Sequence, residues 1–131
     1  MRRALISDIH GNLEALEVVL DDIQEQKIEE IFCLGDIIGY GPNPRECIDR
    51  VMEPCSMTLL GNHDQLGIAE SSGEAGRSTP ATGTEEPQQR PQSTRDQLND
   101  PADRINNTRR IKFLRELRET YRLGPFLFVH G

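Results

Sequence analysis

Two of the three histidines of this 131-residue chain stand beside acidic and amide side chains, and the third ends an apolar run. His10 lies in Ser7-Asp8-Ile9-His10-Gly11-Asn12, His63 in Gly61-Asn62-His63-Asp64, and His130 follows Phe126-Leu127-Phe128-Val129. A further acid, Asp36, lies in Gly35-Asp36-Ile37-Ile38-Gly39. Imidazole, carboxylate and amide donors without thiolate suit Mn, Fe, Zn or a similar divalent ion rather than a structural cysteine site. Each motif has an ordinary reading when taken alone. An Asp-x-His pair is more often a turn beside a surface histidine, and Gly-Asp after a strand is more often a helix-entry cap. The spacing along the chain argues otherwise, because every one of these groups directly follows an apolar run.

Those runs predict the elements that must position the donors. Ala4-Leu5-Ile6, Ile31-Phe32-Cys33-Leu34, Ser56-Met57-Thr58-Leu59-Leu60 and Phe126-Leu127-Phe128-Val129 read as strands. Between the first two, Asn12 caps a helix with the apolar stripe Leu13, Leu16, Leu20 and Ile23, and Glu14 complements its dipole. Asn43-Pro44-Arg45-Glu46 is a second helix start, with a cap, proline at the first position and glutamate returning to the cap. Ile111, Leu114, Leu117 and Tyr121 form one face of a further helix, closed by Gly124-Pro125. Alternating strand and helix predicts an α/β fold of parallel crossover units. In such sheets the loops at the carboxyl ends of the strands line one crevice, so Asp8, His10, Asp36, Asn62, His63, Asp64 and His130 are expected at a single edge.

Composition divides the chain into residues 1–70, a polar low-complexity insertion at 71–104, and a helix and strand at 105–131 that continue the first unit. From Ser71 to Gln97 there is no Leu, Ile, Val, Phe, Tyr or Met, so the insertion is expected to be disordered. The net charge is -7. Residues 1–70 carry 5 Lys and Arg against 14 Asp and Glu. That surface disfavours a nucleic-acid duplex and favours bound cations. No apolar run approaches the roughly 18 residues of a membrane span. With 3 Cys, an odd number, and no export signal, a reducing cytoplasm is expected and Cys33, Cys47 and Cys55 read as packing residues.

The ordered set of four motifs, with Gly39-Tyr40-Gly41-Pro42-Asn43-Pro44, resembles the calcineurin-like metallophosphoesterase superfamily, in its small bacterial and archaeal branch with diadenosine tetraphosphatase and Ser/Thr phosphatase relatives. The resemblance is carried by residues 1–67 and 109–131. It implies a four-layer αββα sandwich and two divalent metal ions. Asp8 and His10 would bind the first ion, Asp36 would bridge both, and Asn62 and His130 would bind the second. It further implies hydrolysis of a phosphomonoester, phosphodiester or nucleotide polyphosphate by metal-bound hydroxide. His63 would serve as general acid, with Asp64 orienting its ring. The expected partner is a small phosphorylated substrate or a phosphoprotein, and neither the substrate-binding residues nor the oligomeric state can be read. The family's further Gly-His-x-His motif does not follow Gly131, so the resemblance implies that only the amino-terminal part of the sandwich is represented, with one ligand short at each metal.

Two smaller features stay open at this level. Tyr40 could stack on a substrate base or simply pack in its loop. The basic residues Arg109, Arg110, Lys112, Arg115, Arg118 and Arg122 form a solvated face or a docking surface for the acidic first half. The alternative to an enzyme is a non-catalytic α/β module that binds nucleotide or protein. A dinucleotide-binding domain is disfavoured, because no Gly-x-Gly-x-x-Gly follows the first strand.

Overall fold

The computed structural model of the chain describes residues 2–71 and 94–131. Three short strands, β1 (Arg3–Ile6), β2 (Glu30–Cys33) and β3 (Cys55–Thr58), form a parallel sheet in the order β1-β2-β3. The connections are α1 (Leu13–Glu25) and α2 (Pro44–Met52), as the sequence spacing predicts. Asn12 caps α1 by accepting the Ala15 N–H at 3.1 Å. Asn43 makes no such side-chain bond at the start of α2, and Glu46 Oε2 is buried without a partner among the described residues, so the expected reciprocal cap is not formed. Proline at the first helical position suffices to start α2 there.

Central strand β2 is buried on both faces. On one face Cys33 joins Leu16, Ile37, Ile38, Cys47, Ile48, Val51, Leu98 and Leu114 in the core beneath the helices. On the other, Phe32, Met57 and Leu59 pack against Tyr121, Leu123 and Phe128. This second layer comes from a hairpin, β4 (Thr120–Leu123) and β5 (Phe126–Val129), paired antiparallel and turning at Gly124-Pro125 with Gly124 at φ +56°.

The hairpin corrects two expectations. The last long helix, α5 (Arg104–Arg115), ends before Tyr121, which belongs to β4. The fourth apolar run is β5, and its partner is β4 rather than the parallel sheet. The hairpin is fastened to that sheet where Leu60 N–H donates to the Arg118 carbonyl at 2.7 Å. Strand β3 also starts one residue earlier than predicted, and Leu59 continues it by donating to the Cys33 carbonyl at 2.8 Å.

Most of the segment expected to be disordered, residues 72–93, lies outside the described residues. Its last part is helical, as α4 (Thr94–Leu98) and a 3-10 turn at Pro101–Asp103. These short pieces are held by tertiary contacts, with Leu98 buried and Gln97 Nε2 donating to the Pro42 carbonyl at 2.9 Å. The remaining helix, α3 (Asn62–Ser71), begins directly in the third motif. Among the described residues no helix is long and apolar enough to cross a membrane. The hairpin leaves Phe126, Leu127 and Val129 exposed, and Leu5 of β1 is likewise exposed.

Candidate metal centre

The loops after β1 and β2 are joined by a ladder of backbone bonds. Asp8 N–H donates to the Gly35 carbonyl at 3.0 Å, His10 to Asp36 at 2.9 Å and Gly11 to Ile37 at 2.8 Å. Asp8, His10 and Asp36 all take positive φ, at +56°, +50° and +57°. Non-glycine residues rarely adopt this conformation, and its clustering marks a functional loop. The third motif arrives at the start of α3 and the fourth at the end of β5, so the expected convergence of the side chains is met.

Asp36 is the hub. Its side chain is 3% exposed, and its Oδ2 lies 3.0 Å from His63 Nδ1, 3.2 Å from His130 Nε2 and 3.7 Å from His10 Nε2. Asp8 Oδ1 lies 3.3 Å from His10 Nε2. The Asn62 amide lies 3.1 Å from His130 Nε2, and with its NH2 turned to Asp36 it donates to both carboxylate oxygens at 3.2 and 3.3 Å. In two sets of potential donors the candidate ligand atoms lie within 4.8 Å of one another: His10, Asp36 and His63, and Asp8, Asp36 and His130. Asp36 belongs to both.

The donor set fits divalent cations. Among the described residues no Lys or Arg pairs with Asp8 or Asp36, so the buried Asp36 carboxylate is met by imidazoles, an amide and the His63 backbone N–H at 3.0 Å, none of them a permanent positive charge. A charge so placed calls for a counter-ion. Ring orientation adds to this. His10 Nδ1 lies 3.3 Å from the Ile38 carbonyl and His130 Nδ1 lies 2.8 Å from the Leu34 carbonyl. Donation from Nδ1 leaves the Nε2 lone pairs directed inward, which is how ligating histidines are usually fixed. His63 is turned the other way, with Nδ1 on Asp36.

Asp64 does not play the part expected of it. Fully buried, it accepts the backbone N–H groups of Asp36, Ile37, Ile38 and Gly61 at 2.9, 2.8, 3.2 and 3.0 Å. The His63 ring is oriented by Asp36 instead. Burial raises the Asp64 pKa above the ordinary carboxylate value, opposed by the four N–H donors. At the exposed rim the reverse holds for Asp8, whose carboxyl is lowered first by a hydrogen bond from Ser7 Oγ at 2.6 Å and then by His130 and His10.

One feature carried no clear sequence signal, the support that Ser7 gives Asp8. Tyr40, for which the sequence left stacking on a substrate and loop packing both open, has its ring 5.1 Å from the His10 ring and 4.9 Å from that of His63. The flanking Gly39 and Gly41 were the hint that this loop must pass close to its neighbours.

The family model described as calcineurin-like phosphoesterase matches residues 1–131. Uncharacterized protein MJ0912 of Methanocaldococcus jannaschii is 56% identical over 69 residues, which cover 53% of this chain and 28% of that protein. The symmetrical bis(5'-nucleosyl)-tetraphosphatase of Erwinia tasmaniensis is 33% identical over 76 residues, covering 56% and 28%. Among solved structures, a metallophosphoesterase from Sphaerobacter thermophilus superposes with a TM-score of 0.65 at 30% identity, over 100% of this chain and 47% of that one. A putative diadenosine tetraphosphatase shares the fold, with a TM-score of 0.64 at 18% identity over 98% and 49%. The chain thus spans about half of the solved relatives, and its matches cover just over a quarter of the curated ones.

Proposed function

The chain belongs to the calcineurin-like phosphoesterase family, and on that premise we propose that it hydrolyses a phosphoester with the help of two divalent cations. Asp8, His10, Asp36, Asn62 and His130 would hold the cations, with Asp36 shared between them. The observation that carries this reading is the position of Asp36 Oδ2, which three imidazole nitrogens surround within 3.7 Å. Bound cations at such a site supply Lewis acidity, drawing charge from the phosphoryl group and acidifying water.

The protein's own side chains account for the rest. Carbonyl acceptors at Ile38 and Leu34 keep the His10 and His130 rings from rotating. The contact between His63 Nδ1 and Asp36 leaves Nε2 as the nitrogen able to pass a proton to a departing alkoxide. The substrate is a small phosphorylated molecule or a phosphoprotein. The similarity to a bis(5'-nucleosyl)-tetraphosphatase favours nucleotide polyphosphates within that range.

The test uses the 131-residue chain dialysed against Mn2+ and assayed with p-nitrophenyl phosphate. The expected result is metal uptake with turnover, both lost in Asp36→Asn while the fold is retained. Near-normal turnover by that variant overturns the reading. A chain that binds nucleotide but takes up no divalent metal supports the second reading, a non-catalytic α/β module.

A further inference from the structure

The loop after β2 presents an aromatic ring that nothing in the core requires. Tyr40 is 83% exposed, although large apolar side chains at this depth of a loop usually find cover. Its backbone takes φ +65°, a conformation uncommon for a bulky residue and found where function outweighs local comfort. The neighbouring residues fix it there. Gly41 N–H donates to the His10 carbonyl at 2.7 Å, and a Cβ on Gly41 would run into the backbone of His10 and Gly11. A Cβ on Gly39 would press on the His63 ring at 3.0 Å. The ring of Tyr40 therefore stands at the mouth of the centre, touching His10 edge-on at 74° and His63 at 52°, with most of its surface open.

We propose that Tyr40 is a substrate-positioning residue that stacks on a planar ring carried by the leaving group, so that the preferred esters are nucleotides or aryl phosphates. This rests on the phosphoester reading above. A phosphoryl group seated beside His10 and His63 would turn the leaving group, and a base or aryl ring that it carries, towards the open Tyr40 face, whereas a short aliphatic ester would leave that face in water. Stacking on one aromatic side chain is strong enough to set a preference and tolerant of which base it holds.

The experiment compares binding, by calorimetry in Mn2+ buffer, of the non-hydrolysable phosphonate analogues of adenosine 5'-phosphate, ribose 5-phosphate and phenyl phosphate. The unaltered chain is expected to favour the adenosine ligand over the ribose ligand by about tenfold or more. The ratio should survive Tyr40→Phe and collapse towards one in Tyr40→Ala, with Mn2+ uptake and circular dichroism of both variants confirming an intact fold. The phenyl ligand separates the two sources, siding with adenosine if any planar ring serves and with ribose if a base is needed. A ratio near one in the unaltered chain, or one that persists in Tyr40→Ala, overturns the inference and leaves the phosphoester reading standing. Failure of all three ligands to bind removes both.

Discussion

Asp64 Oδ2 accepts the backbone N–H of Asp36 at 2.9 Å, so the carboxylate at the hub of the centre is held from behind by another carboxylate that never reaches it side chain to side chain. The same group ties down Ile37, Ile38 and Gly61, and thereby joins the second and third motif loops. A carboxamide in its place leaves one side-chain oxygen for four donors. Asp64→Asn is expected to lower stability by about 3 kcal/mol, since hydrogen bonds to charged acceptors are among the stronger ones and buried donors are costly to leave unpaired. Urea denaturation checks this, and a variant as stable as the parent would remove the claimed joint.

Gly61 faces Asp36 so closely that a Cβ there would overlap both the backbone nitrogen and the Oδ1 of Asp36. Backbone cannot yield as a flexible side chain can. Gly61→Ala should cost about 3 kcal/mol through overpacking, and it should weaken Mn2+ uptake because the displaced group is the shared carboxylate. Equilibrium dialysis on the folded fraction would expose an error if uptake matched the parent.

Helix α5 is clamped to α2 by Arg110. Its guanidinium grips Asp49 at 2.9 and 2.7 Å and reaches Asp103 at 2.6 Å and Asn107 at 2.7 Å. Because Asp49 is half exposed, Arg110→Met is expected to cost only about 1–2 kcal/mol. Asp103, held below its ordinary pKa by Arg110 and Asn106, contributes stability above pH 3.8 that fades as the pH falls through its lowered value. The variant should therefore lose less stability than the parent on acidification, as thermal melts across pH 2 to about 5 would register.

Burial pushes the thiols of Cys33, Cys47 and Cys55 up from 9.0 to about 12. The folded chain thus holds thiol protons that the unfolded chain has already released. Stability from this source is complete below pH 9.0 and is lost as the pH climbs towards about 12. Urea midpoints at about pH 8 and about pH 10.5 should differ more in the parent than in a variant with all three changed to alanine. At neutral pH the native thiols should react with iodoacetamide far more slowly than those of the denatured chain.

Much of this was legible in the sequence, for identifiable reasons. Strands β1 and β2 and helix α1 were readable because apolar runs of the right length alternate with an amphipathic stripe, and Asn12 caps where its side chain predicts. The edge where Asp8, His10, Asp36, Asn62 and His63 gather followed from the rule that loops beyond parallel strands share one crevice, whereas His130 reaches it from the antiparallel hairpin. Tyr121 was misplaced because it continues the helical spacing of Ile111, Leu114 and Leu117. Pairing of Tyr121 with Phe128 in the hairpin overrides that period, and no local pattern announces it. Helix α4 has five residues, too few for any periodicity, and owes its existence to neighbours such as Pro42 and Asn107.

The part assigned to Asp64 failed on elementary geometry. His63 and Asp64 are consecutive residues of α3, and neighbours in a helix point about 100° apart. Adjacency in the sequence therefore argues against contact, and Asp64 turns inward as His63 turns to the centre. A glutamate or aspartate three residues into a helix that reaches back to its start is the better template, and Asp64 does so by accepting the Gly61 N–H.

The tether between His130 and the Leu34 carbonyl bears on the order of events during biosynthesis. Asp8, His10 and Asp36 leave the ribosome early, while the histidine that joins their cluster of donors emerges long after them. On the proposed reading, His130 joins the donors of the first two loops only once β5 has docked against Leu34.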